Sequence, residues 1–83
     1  MRAQVIVTLK PSVLDPQGEA VQHALGSLGY DGVRSVRVGK LIEIELDDGD
    51  PAEAEKRLGE MADQLLANPV IERYEVSVLK DDA

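Results

Sequence analysis

The chain has 83 residues with nine basic and sixteen acidic side chains, a formal charge of −7, so it makes one domain, residues 1–83, with a small core and a surface that repels phosphate backbones and anionic lipid. Val, Ile and Leu supply 24 residues, too many for a disordered chain. The absence of Cys, Trp and Phe, with a single His, excludes disulfides, thiolate nucleophiles, Cys- or His-rich metal sites and base-stacking platforms, and nucleic acid is not expected as a partner.

Met1 to Lys10 alternates polar and apolar residues, which suits neither a signal peptide nor a membrane span, and the protein is read as cytoplasmic. Within it Ala3, Val5, Val7 and Leu9 share one parity, the period-2 signature of a strand with one buried face. Asp15-Pro16 then gives an N-cap followed by proline at the first helical position, and Val21, Ala24, Leu25 and Leu28 follow at helical spacing up to Gly29. A helix over 16–28 is expected. Val33, Val36 and Val38 precede Gly39-Lys40, and Ile42, Ile44 and Leu46 follow it, the pattern of two strands about a glycine turn. A three-residue loop, Gly39-Lys40-Leu41, pairs Val38 with Ile42 and Val36 with Ile44, so that all four share the buried face.

Asp50-Pro51 repeats the helix start, and Ala54, Leu58, Met61, Ala62 and Leu65 form one stripe opposite Lys56, Glu60, Asp63 and Gln64. Asn68-Pro69 ends this helix, because the residue before proline avoids the helical region. Val70 to Leu79 reads as a last strand with Tyr74, Val76 and Val78 inward, and Lys80 to Ala83 as a frayed acidic tail. The predicted fold class is α+β: a two-layer sandwich of βαββαβ order, an antiparallel sheet with two helices on one face. The other face would carry Ile6, Leu41, Ile71 and Leu79 among polar residues, too apolar for a face meant only for water, so self-association is expected.

Little in the chain suits catalysis. His23 falls opposite the apolar stripe of the first helix, on its solvent side, where a general base has neither a cleft nor an orienting partner. Seven carboxylates between Glu43 and Glu55 fail calcium-loop spacing, since Gly49 and Pro51 stand where ligands are needed. They suit a solvated turn and a helix N-terminus. Lys10, Arg34, Arg37 and Lys40 are either a surface for an anionic partner or cross-strand mates of Glu43 and Glu45, the latter favoured by residue pattern alone. Lys10 to Gly18 lacks the glycines of a phosphate cradle.

Taken together, Leu9-Lys10, Val13-Leu14-Asp15-Pro16-Gln17-Gly18, Leu28-Gly29-Tyr30, Val36-Arg37-Val38-Gly39-Lys40 and Leu66-Ala67-Asn68-Pro69-Val70-Ile71-Glu72-Arg73-Tyr74 resemble the PurS family, the small subunit of phosphoribosylformylglycinamidine synthase. The resemblance spans essentially the whole chain. It implies a non-catalytic subunit of an ATP-dependent glutamine amidotransferase/ligase complex of purine biosynthesis. Such a subunit, as a homodimer or higher homo-oligomer, bridges the glutaminase subunit and the synthetase large subunit and assists ammonia transfer. It also implies that no cofactor is bound here, ATP, Mg and glutamine being used by the partner subunits. Candidate partner contacts are Lys10, Asp15, Gln17, Arg37, Gly39, Lys40, Asn68 and Glu72, on three turns of a rigid sheet. The rival reading is a small-molecule-binding regulatory domain of the same βαββαβ type.

Overall fold

The computed structural model describes residues 1–79, and the acidic tail expected over 80–83 lies outside them. In chain order the elements are β1 (Arg2–Leu9), α1 (Pro16–Ser27), β2 (Lys40–Glu45), α2 (Pro51–Met61), which runs on into a π turn (Ala62–Leu66), and β3 (Glu72–Leu79). The strands form one antiparallel sheet in the order β2-β1-β3. The α+β class and the βαββαβ order are as the sequence predicts, the second strand of that order being an extended stretch, 33–38, without a ladder partner among the described residues.

Both helices start where the sequence places them. Asp15 accepts a hydrogen bond from the Gly18 N–H and Asp50 from the Ala52 N–H, with proline following each cap. A short polar side chain before proline satisfies an orphan amide while the ring fixes the first helical φ, which makes these starts local decisions. Gly29, with φ of 95°, closes α1 in the left-handed region.

The core lies between the sheet and α2. Ala3, Val5 and Val7 of β1 are buried against Leu58 and Ala62, with Ile42, Ile44, Tyr74, Val76 and Val78 half-buried around them. Leu58, Val5 and Val7 are the largest fully buried side chains, each contributing about 1.5–3 kcal/mol of transfer free energy. The Tyr74 hydroxyl donates to the Gly59 carbonyl at 3.3 Å, tying β3 to α2. On the opposite face Ile6 and Leu41 are exposed and directly paired across β1 and β2, with Ile71 exposed nearby, as expected.

Three details differ from expectation. The Gly39 turn does not form: no turn or bend interrupts the chain from Val33 to Glu45. A Cβ at Gly39 would lie 2.6 Å from the Val7 carbonyl oxygen, so glycine serves close backbone approach here, not reversal. Leu65 leaves the helical stripe and is exposed, because the Ala67 N–H bonds the Ala62 carbonyl at 2.9 Å, five residues back. That π turn inserts one residue into the period and brings Leu66 inward instead. Finally, α1 buries only Gly18 and leaves Val21 and Leu28 exposed. The molecule measures 48 × 34 × 15 Å, with a radius of gyration of 16.2 Å, against about 12 Å for a compact chain of this length.

Candidate functional site

The eight residues singled out in the sequence gather at one end of the sheet, where β1 stops and β2 and β3 begin. The Lys10 N–H bonds the Ile71 carbonyl at 2.8 Å, fastening the exit of β1 to the entry of β3. Beside it Asn68 organises the turn before β3: its side-chain oxygen accepts from the Val70 N–H at 3.0 Å and its carbonyl from the Glu72 N–H at 2.7 Å. Glu72 returns one carboxylate oxygen to the Asn68 N–H at 2.7 Å and faces the Lys40 ammonium at 3.9 Å with the other.

Asp15 is the buried hinge of this end. One oxygen caps α1 through the Gly18 N–H at 2.9 Å, and the other accepts the Val38 N–H at 2.8 Å, so a single side chain joins the helix start to the approach of β2. The Val38 amide, then the Gly18 amide, hold its carboxyl below the ordinary 3.8, outweighing the opposite pull of burial. Arg37 reinforces the junction by donating to the carbonyls of Val13 at 2.6 Å and Pro11 at 2.9 Å. The favoured pairing of the basic stretch with Glu43 and Glu45 is therefore not what Arg37 does: two carbonyls of the turn after β1 claim its guanidinium.

These residues surround an open cleft of about 240 Å³ lined by Thr8, Asp15, Gln17, Gly39, Lys40 and Glu72. Gln17 is exposed, and Lys40 keeps 60% of its side chain in solvent. Asp15, Arg37 and Asn68 satisfy the backbone, whereas Gln17 and Lys40 present an amide and an ammonium outward on that rigid frame. Such an arrangement suits polar recognition of a protein surface. No nucleophile stands beside a base here, and among the described residues no three His, Asp or Glu side chains converge on a metal-sized site. His23 is exposed on α1, above a shallow polar depression shared with Glu19, Gln22 and Tyr30. Among the described residues no helix is long and apolar enough to cross a membrane.

Sequence reasoning missed Gln22, whose amide donates to the carbonyls of Val33 and Arg34 at 3.1 and 3.0 Å and so pins α1 to the extended stretch. A glutamine beside the apolar stripe of a helix, half-buried as Gln22 is, carries no local signal of such a role.

Residues 2–80 match the PurS family, described as phosphoribosylformylglycinamidine (FGAM) synthase. The chain is 59% identical over 71 residues to the phosphoribosylformylglycinamidine synthase subunit PurS of Synechocystis, covering 86% of this chain and 71% of that one. It superposes on the crystal structure of Methanocaldococcus jannaschii PurS with a TM-score of 0.87 at 40% identity, covering 98% of each chain. A chain in the structure of PurLQS from Thermotoga maritima matches with a TM-score of 0.82 at 32% identity, over 94% of this chain and 96% of that one.

Proposed function

Because the chain belongs to the PurS family of phosphoribosylformylglycinamidine synthase subunits, we propose that it works without an active site of its own, as a self-associating bridge between the glutaminase and synthetase subunits that helps ammonia pass from one to the other. The observation that carries this reading is the sheet end itself. Buried Asp15 and exposed Arg37 are committed to backbone groups, while the side chains of Gln17 and Lys40 stand exposed on the frame they hold. A binding surface needs this; a catalytic site needs a perturbed acid or base beside a reacting atom. The likeness to a chain of the Thermotoga PurLQS structure supports PurL- and PurQ-type partners. The exposed Ile6 and Leu41 support self-association, since a small domain gains stability by covering apolar surface. On this reading ATP, Mg and glutamine are handled by the partner subunits, and the assembly works in the cytoplasm. Ammonia released into water is protonated and diluted, so a shielded path keeps it nucleophilic.

The test compares glutamine-fed with ammonia-fed synthesis in the reconstituted complex. Gln17→Ala and Lys40→Gln, neither of which strains the backbone, should depress the glutamine reaction about tenfold and leave the ammonia reaction within about twofold, because the synthetase site is untouched. Equal loss in both reactions, or no loss in either, would refute the bridging role of this surface.

A further inference from the structure

The link between α1 and the extended stretch 33–38 is held at both ends and free in its middle. The Tyr30 N–H bonds the Leu25 carbonyl at 3.0 Å, and the carbonyls of Val33 and Arg34 accept the Gln22 amide at 3.1 and 3.0 Å. Between these anchors stand Asp31 and Gly32, both exposed and both lining an open depression of about 680 Å³ beside α1, so water reaches them freely. Among the described residues neither the Asp31 carboxyl nor the Gly32 N–H has a hydrogen-bond partner. Gly32 holds the turn with a φ of 88°, and its missing Cβ leaves its own nitrogen unshielded.

We infer that Asp31-Gly32 is a site of spontaneous covalent modification, where the main chain passes onto the aspartate side chain as an L-isoaspartyl link. The Gly32 nitrogen attacks Cγ of the protonated Asp31 carboxyl. A C–N bond forms, the amide proton and the carboxyl hydroxyl leave together as water, and a five-membered succinimide results. Water then opens the ring. Opening at Cγ restores aspartate, whereas opening at the original main-chain carbonyl routes the chain through Cβ and Cγ and leaves that carbonyl as a free carboxylate. One water is lost and one gained, so the step needs no oxidant, metal or nucleotide. The new carboxylate is of the class that S-adenosylmethionine-dependent isoaspartyl methyltransferases esterify.

The other aspartates are less suited. Asp15 and Asp50 precede proline, which has no N–H to give. Asp48-Gly49 is the second Asp-Gly pair and is equally exposed. There the carboxylate faces the protonated N-terminal amine at 3.2 Å, which favours the ionised form, a poor electrophile, and Gly49 lies outside the left-handed region. The consequence of the modification falls on α1. An isoaspartyl link lengthens the main chain by one atom directly before the two carbonyls that hold Gln22, so it withdraws the clamp between the helix and the stretch. This inference stands apart from the bridging role proposed above.

The test ages the full chain in water enriched in heavy oxygen, since each ring opening fixes one solvent oxygen, and digests it in ordinary water. Trypsin separates the two Asp-Gly bonds, one in the fragment ending at Arg34 and the other in 41–56. The fragment ending at Arg34 should gain heavy oxygen and accept methyl groups from an isoaspartyl methyltransferase, several-fold ahead of 41–56. Asp31→Glu should abolish both signals there, because the six-membered imide closes far more slowly, and unfolding in denaturant should bring the rates of the two fragments together. No label in the fragment ending at Arg34, label that survives Asp31→Glu, or a lead of 41–56 in the folded chain would overturn the assignment. A gap between the fragments that unfolding leaves unchanged would overturn the part given to the turn. For the consequence, amide exchange over 19–27 in the isoaspartyl form should be as fast as in unaged Gln22→Ala. Exchange as slow as in the fresh chain would refute the release of α1.

Discussion

The two helices begin with the same words and end in different places. Asp15-Pro16 and Asp50-Pro51 each supply an aspartate cap and a first-turn proline, Asp15 accepting from the third helical amide and Asp50 from the second, yet α2 buries Ala54 and Leu58 against the sheet while α1 buries only Gly18. Caps and periodicity decide whether a helix forms and which stripe is apolar. What that stripe meets is decided by connections: the one after α1 turns at 28–32 and then runs straight from Val33 into β2, where the one after α2 folds back onto the sheet. The largest expected effect tests this contrast. Leu58→Ala removes a fully buried side chain and should cost about 2–5 kcal/mol in chemical denaturation, enough to unfold much of so small a domain. Leu28→Ala, at a side chain 74% exposed, should shift the dilute chain by less than about 0.5 kcal/mol.

A glycine pair within α1 sharpens the comparison at the next level. A Cβ on Gly18 would lie 2.0 Å from the Val36 carbonyl oxygen, whereas one on Gly26 meets nothing within 4 Å. Gly18→Ala should therefore destabilise by about 1–3 kcal/mol as helix and stretch are forced apart. Gly26→Ala should stabilise by about 0.5–1 kcal/mol through helix propensity. Equal responses in thermal melts would mean that α1 and the 33–38 stretch are not packed together.

The smallest effect is expected in acid. Because its folded carboxyl titrates below the ordinary 3.8, Asp15 favours the folded state in full above that value, and the contribution fades as pH falls through the depressed one. Asp15→Asn should therefore flatten the acid limb of thermal midpoint against pH while lowering its plateau. An unchanged acid limb would remove Asp15 as the junction's titrating group.

Local chemistry explains what was legible. The helix starts, the buried parity of β1 and β3 and the exposed Ile6 and Leu41 all follow from nearest neighbours and period. Leu65 was misplaced because a π turn costs one residue of phase and leaves no composition mark. The hairpin at Gly39 was misread because glycine permits both reversal and close approach, and only the position of Val7 and Thr8 distinguishes them. At the candidate site the residues were identifiable by turn position and family likeness, but not their division of labour. That Asp15 and Arg37 are bound to the backbone while Gln17 and Lys40 are left exposed depends on carbonyls and amides brought in from 11–13 and 38.

The central strand precedes both of its neighbours in the chain. Ala3 pairs with Ile44 on one side and Val78 on the other. At about 5–20 residues per second the nascent chain holds Ala-Gln-Val-Ile-Val-Thr-Leu unpaired for several seconds before its last partner exists. That run has the β propensity and absence of charge of an aggregation-prone segment. The sheet therefore cannot close strand by strand as its segments are made, and early shielding of these residues protects it from aggregation.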